Sequence, residues 1–120
     1  MKDIDVRSHP ARVISLIGMP GSGKSTVGVL LAKRLGLAFV DTDLLIQEQA
    51  GATLAEIIAQ KGHTALRTIE EQVLLDMNIG ASVISTGGSV VYSDAIMRRL
   101  TQSSTVVYLG ATPDTVACRI

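Results

Sequence analysis

Apolar residues along the chain follow two alternating patterns, short unbroken runs and helically spaced series. Val13-Ile-Ser-Leu-Ile17 is a β-branched apolar run of the kind that forms a strand buried on both faces. Val27, Leu30, Leu31 and Leu35 then recur at helical spacing, and Gly36 is a good stop for that helix. Leu37-Ala-Phe-Val40 reads as a second strand ending at Asp41, and Leu44 to Ala50 reads as a helix broken at Gly51. Thr53-Leu-Ala-Glu56 has the form of a capping box, opening a helix that buries Leu54, Ile57 and Ile58 until Gly62 interrupts. A longer helix is predicted from about Thr64 to Met77, with Leu66, Ile69, Val73, Leu74 and Met77 on one face. Ser82-Val-Ile-Ser85 is a third strand, Ser93 caps a helix through Leu100, and Thr105-Val-Val-Tyr-Leu109 is a fourth strand. Thr112 followed by Pro113 marks the start of a last helix.

Strands that alternate with helices and are nearly continuous apolar runs predict an α/β fold, a parallel sheet covered by helices on both faces in three layers. In such a sheet, ligands gather beyond the carboxyl ends of the strands. Three polar features fall at those ends: a glycine-rich loop after the first strand, Asp41-Thr42-Asp43 after the second, and Gly87-Gly88 after the third.

The glycine-rich loop carries the clearest chemistry. Residues Gly18 to Thr26 read GMPGSGKST and satisfy the G-x-x-x-x-G-K-[ST] pattern of a phosphate-binding P-loop. A triphosphate must sit against backbone N–H groups, so Gly18, Gly21 and Gly23 keep side chains out of the way. Lys24 places a cation on the β- and γ-phosphates, and the Ser25 hydroxyl is a ligand for Mg²⁺. With Ser22 and Thr26, these residues form the candidate nucleotide site at the N-terminus of a helix.

A P-loop alone does not separate motors, switches and small-molecule kinases. The third and fourth strands end in Ser85-Thr86 and Leu109-Gly110, with no carboxylate to complete a metal site, and no guanine-reading NKxD motif is present. ATP is therefore the expected nucleotide. Asp41 and Asp43, spaced by one residue at a strand end, are expected to point to different sides, one toward the metal and one toward a second substrate. Arg67 and Glu70 are three apart on the long helix, with Glu71 four from Arg67. That set is either a solvated surface pair or a clamp in which Glu70 holds Arg67 for a substrate carboxylate. Gly87-Gly88 is either an ordinary turn or a place where backbone N–H groups meet a ligand.

Composition narrows the field further. The 120 residues fit one domain, with a polar leader over residues 1–11 and the P-loop domain over residues 12–120. Lys and Arg total 11 against 11 Asp and Glu, and no basic cluster appears, so neither nucleic acid nor an anionic membrane is an expected partner. No signal-peptide core or membrane-length apolar run is present, and Cys118 stands alone, which fits a reducing compartment; the expected location is the cytoplasm. His9, His63 and Cys118 read as ordinary structural or surface residues, and Met19 and Pro20 as residues that only shape the loop.

With these residues placed, the chain resembles the shikimate kinase family over residues 13–120. The likeness rests on GMPGSGKST, Asp41-Thr42-Asp43, Leu66-Arg-Thr-Ile-Glu-Glu71 and Ser85-Thr-Gly-Gly88, in the family's order and approximate spacing. The run Val106-Val-Tyr-Leu109 followed by Arg119 also resembles the family's fourth strand and next helix. The resemblance implies a P-loop NTPase-type α/β/α domain with strand order 2-3-1-4, and phosphoryl transfer from ATP to shikimate. It implies that Lys24 binds phosphates, that Ser25 and Asp41 serve Mg²⁺, and that Asp43 contacts the attacking hydroxyl. Arg67, Gly87 and Gly88 would anchor the substrate, and Arg119 would pack against adenine. Three departures stand out: Ser89 replaces the family's third glycine, Leu66 replaces an aromatic, and the chain stops before the family's lid, second substrate arginine and fifth strand. A complete protein is expected to be a monomer, with self-association open to a shortened one. A kinase for another small hydroxylated metabolite, or a nucleotide-binding module without catalysis, stays open beside this reading.

Overall fold

The computed structural model describes residues 12–18 and 23–109. Its sheet holds four parallel strands: β1 (Val13–Gly18), β2 (Ala38–Asp41), β3 (Ser82–Ser85) and β4 (Thr105–Leu109), in the order β2-β3-β1-β4. Leu16 pairs with Ser85 and Val107, and Asp41 pairs with Ser85, so the carboxyl ends of β1, β2 and β3 reach one edge together. The parallel pairing and the strand order are those expected. The helix foreseen at Thr112 and Pro113 lies outside the described residues, as do residues 1–11 and Cys118.

Successive residues of β1 feed opposite faces of the sheet, which is why the run is apolar without alternation. Leu16 packs with Ala32 and Val83 under helix α1 (Lys24–Leu35). Ile17 packs with Leu74, Val90, Ile96 and Leu100 under helix α3 (Leu54–Asp76) and helix α4 (Asp94–Ser103). Helix α2 (Thr42–Ala50) closes a third cluster, in which Ile46, Ile57 and Val73 meet beside the sheet. The face that α1 buries differs from its most apolar residues. Gly28 and Ala32 are buried, whereas Val27 and Leu30 are 40% and 57% exposed, because α1 lies so close to the sheet that only small residues fit between.

Local signals place the element ends. Gly36 caps α1 in the left-handed region, and the Thr53–Glu56 box at the start of α3 is fully formed. At Gly62, φ is 89° and ψ is 170°, so α3 is kinked where the sequence broke it into two helices. Arg99 donates from Nη1 and Nη2 to the carbonyls of Leu74 and Met77, both at 2.7 Å, closing the C-terminal end of α3 with a side chain from α4. A short 3₁₀ turn, Val90–Tyr92, has no local sequence signal; it forms because Val90 is completely buried in the core beside Ile17.

Candidate active site

The site is built from the ends of three strands and the helices that follow them. A Cβ at Gly18 would collide with the carbonyl oxygen of Leu109, and φ there is 148°, so no other residue fits where β1 leaves the sheet. The Gly18 carbonyl accepts a hydrogen bond from Lys24 Nζ at 2.9 Å, which folds the lysine back toward the strand end. Lys24 is 8% exposed; burial pushes its pKa down, and the charge of Asp43 opposes that. Gly23 begins α1 without a side-chain cap hydrogen bond, whereas Asp41, Thr53 and Ser93 cap the other three α-helices among the described residues. The start of α1, whose Lys24, Ser25 and Thr26 line the cleft, therefore has no side-chain cap from Gly23.

Asp41 ends β2 and caps α2, its Oδ1 accepting from the backbone N–H of Asp43 at 2.9 Å and of Leu44 at 3.4 Å. The helix thus starts at Thr42, two residues before the expected Leu44. The two aspartates are not alternate residues of a strand, and both line one cleft. Asp41 folds onto the helix end as its cap, while Asp43 projects from the first helical turn. Thr42 between them is fully buried and donates to the Ser85 carbonyl at 3.3 Å, tying α2 to the end of β3. Burial raises the Asp43 pKa, the Asp41 charge raises it further, and Lys24 draws it down.

Gly87 explains how the loop after β3 joins these groups. A Cβ at that position would lie 2.8 Å from Glu70 Oε2 and 2.9 Å from Asp43 Oδ1, so carboxylates from α3 and α2 close on the loop only because residue 87 has no side chain. Lys24, Ser25, Thr26, Asp41, Asp43, Gly87 and Gly88 line one open cleft of about 410 Å³, together with Gly23, Ser85 and Thr86. The Thr86 hydroxyl donates to the Leu16 carbonyl at 2.8 Å, pinning the loop to β1. Gly21, Ser22 and Arg119, also singled out from the sequence, lie outside the described residues.

Arg67 is not in that cleft. It is exposed on α3 and lines a neighbouring cavity of about 210 Å³ with Glu70, Glu71, Ser89, Tyr92 and Ser93. Its guanidinium carbon lies 5.8 Å from the centroid of the Tyr92 ring. The expected clamp of Glu70 on Arg67 is absent, because Glu70 Oε1 accepts from the Ser89 hydroxyl at 2.7 Å instead. Glu70 is 6% exposed; burial raises its pKa, the Ser89 hydrogen bond opposes this, Asp43 adds to it and Arg67 opposes it. The sequence marks Ser89 only as a departure and carries no signal for Tyr92, since the 3₁₀ turn that presents it depends on the burial of Val90.

Among the described residues, no three His, Cys, Asp or Glu side chains gather as a metal cage. The Ser25 hydroxyl and the carboxylates of Asp41 and Asp43 are nonetheless hard oxygen donors in one cleft, the sparse set that suits Mg²⁺ shared with phosphate oxygens. No helix among the described residues is long and apolar enough to cross a membrane.

Comparison with known proteins agrees with this geometry. Residues 20–120 match the family model described as "Shikimate kinase". A shikimate kinase of Paracidovorax citrulli is 44% identical over 110 residues, covering 89% of this chain and 60% of that protein. A protein named shikimate kinase 2 from Sodalis glossinidius is 41% identical, covering 88% of this chain and 60% of its own length. Among solved structures, a shikimate kinase from Acinetobacter baumannii in complex with shikimate superposes with a TM-score of 0.83 at 34% identity, over 98% of this chain and 64% of that one. The Aquifex aeolicus shikimate kinase gives a TM-score of 0.76 at 33% identity, over 86% and 62%. The chain thus spans about three fifths of the length of the relatives it matches.

Proposed function

Since the chain belongs to the shikimate kinase family, we propose that it supplies the nucleotide site and part of the acceptor site of an enzyme that phosphorylates the 3-hydroxyl of shikimate with ATP. The observation that carries this reading is the meeting of Lys24, Asp43 and Gly87 in one cleft, although they come from three separate segments. Shikimate is favoured as acceptor because the matched relatives are named for it and one solved neighbour is described with it bound.

In this reading Lys24 and the N–H groups at the start of α1 hold the phosphates, with Gly21 and Ser22 completing the loop. Ser25 and Asp41 hold Mg²⁺, which when bound offsets negative charge on the phosphate oxygens. Asp43 accepts a hydrogen bond from the attacking hydroxyl and takes its proton as the new O–P bond forms and the bond from the γ-phosphorus to the bridging oxygen breaks, releasing ADP. Its raised pKa suits that role, since a carboxylate nearer neutrality is a better base. Gly87 and Gly88 offer backbone N–H groups to the acceptor, Arg67 binds its carboxylate, and Arg119 stacks on the adenine. Most of the rate advantage is then alignment and charge compensation.

The test is ATP turnover by the natural full-length protein across a panel of hydroxy acids that includes shikimate, quinate and gluconate, alongside an Asp43→Asn variant. Shikimate should be turned over fastest, and Asp43→Asn should lower kcat by roughly 10²-fold or more with nucleotide affinity kept. Preferential turnover of a different acceptor would overturn the reading, as would full activity of the variant.

A further inference from the structure

We propose that Ser89 is a positioning residue of the acceptor site: its hydroxyl occupies Glu70 and thereby releases the Arg67 guanidinium to Tyr92 and the cavity beside it. This rests on the reading of Arg67 as the anchor for an acceptor carboxylate.

Arg67 and Glu70 are three apart on α3, a spacing at which an arginine and a glutamate ordinarily meet. Here they do not, and the loop after β3 shows why. Glu70 Oε1 accepts from Ser89 Oγ at 2.7 Å, and its Oε2 sits against Gly87, so both oxygens are turned to the loop. The next acidic residue, Glu71, is likewise taken up, its Oε2 accepting from Ser93 Oγ at 2.6 Å. Two serines of one loop thus hold both carboxylates that α3 offers near Arg67. The loop is able to do so because it is anchored: Val90 is fully buried, and the Tyr92 N–H donates to the Ser89 carbonyl at 3.1 Å. The same turn lifts Tyr92, 69% exposed, under the guanidinium. A ring face supports the cation without consuming its in-plane N–H donors, which stay available for a planar carboxylate.

Glycine or alanine at position 89 has no hydroxyl to give. Glu70, still facing Asp43 from α2 and with Lys24 beyond it, would then find its nearest cation in Arg67, one helical turn away on its own helix. The released donors would be lost to that pair. Ser89 would then act on the acceptor through Glu70 and Arg67, without touching the acceptor itself.

The experiment compares wild type with Ser89→Ala, Ser89→Thr and the double variant Ser89→Ala/Glu70→Gln in the natural full-length protein. Steady-state kinetics give KM for acceptor and for ATP, and ¹⁵N–¹H NMR of the arginine side chains reports immobilisation of Arg67 without any substrate. Ser89→Ala should raise the acceptor KM by roughly three- to fivefold, the competition expected of a partly exposed ion pair, with kcat and the ATP KM unchanged. Ser89→Thr should match wild type, and adding Glu70→Gln should restore the acceptor KM, which a loss of loop packing would not. The Arg67 guanidinium signals should become slow-exchanging in Ser89→Ala alone. An unchanged acceptor KM in Ser89→Ala, no relief from Glu70→Gln, or Arg67 signals identical in all variants would each overturn the proposal. If wild type does not turn over shikimate yet the Arg67 signals change as described, the proposed acceptor fails while the coupling of Ser89 to Arg67 stands.

Discussion

Asp41 and Asp43 are one residue apart, yet one carboxylate closes a helix end and the other reaches the loop at Gly87. Their substitutions should therefore separate structure from ligand binding. Asn is as good a helix cap as Asp, so Asp41→Asn should leave thermal stability nearly unchanged while weakening Mg²⁺-dependent nucleotide binding. Asp41→Ala removes the cap acceptor as well and should cost about 1 kcal/mol of stability. Denaturant unfolding of the two variants, with calorimetric titration of nucleotide at fixed Mg²⁺, checks both halves. Equal stability loss in both would mean that the charge of Asp41, rather than its cap geometry, holds α2. The pair also shows how far residue reading reaches. Motif spacing picks out both aspartates, but which of them caps a helix is a property of where α2 begins.

Elements here are joined at a few close approaches that hydropathy does not mark. A Cβ at Gly28 would lie 2.6 Å from Phe39 Cε1 and 3.3 Å from Leu16 Cδ1, so α1 rests on the sheet only because residue 28 is glycine. Gly28→Ala adds helix propensity but forces the Phe39 ring aside, and the net effect should be a loss of roughly 1–3 kcal/mol. A stabilised Gly28→Ala protein in thermal unfolding would show that the Phe39 ring yields without cost. Arg99 provides the second junction, from α4 to the end of α3. Replacing it with Met keeps the aliphatic stem and removes the donors, which should cost about 2 kcal/mol, seen as a lower denaturant midpoint. The matching Arg99→Lys variant should recover only part, because an ammonium cannot span two carbonyls as a guanidinium fork does.

At the scale of the whole molecule, the buried carboxyl of Glu70 makes stability depend on pH. Folding raises its pKa above the ordinary 4.5, chiefly through burial, so the native state holds the proton more tightly than the unfolded chain. Stability is thus free of this cost at low pH and falls as pH rises through 4.5 toward the raised native value. Asp43 acts in the same sense from 3.8, whereas Lys24, whose pKa is lowered, acts in the opposite sense with a window that closes at 10.5. Glu70→Gln keeps an acceptor for Ser89 and removes the titration. Its melting temperature should coincide with wild type at pH well below 4.5 and exceed it increasingly as pH rises through 4.5 toward the raised native value. A difference that stays constant across that range would show that the Glu70 charge is compensated in the native state.

Much of this protein is determined by local rules that operate before any tertiary contact. Unbroken apolar runs, helical spacing, the Thr53–Glu56 box and the left-handed stop at Gly36 are decided within a few residues, and each element they mark among the described residues is found. The P-loop pattern places Gly18, Lys24 and Ser25 in the same way, since strand, glycine turn and helix are consecutive in the chain. What only the folded molecule decided lies between segments far apart in sequence. Glu70 turns to Ser89 rather than to Arg67 because β3 delivers residue 89 to the middle of α3, 19 residues away along the chain. Tyr92 reaches Arg67 because Val90 finds a place in the core, and α1 buries Gly28 and Ala32 because its distance from the sheet excludes larger side chains. Local propensity can name the partners a side chain has within its own helix, but which partner it takes depends on what packing brings near and what burial forbids it to leave unpaired.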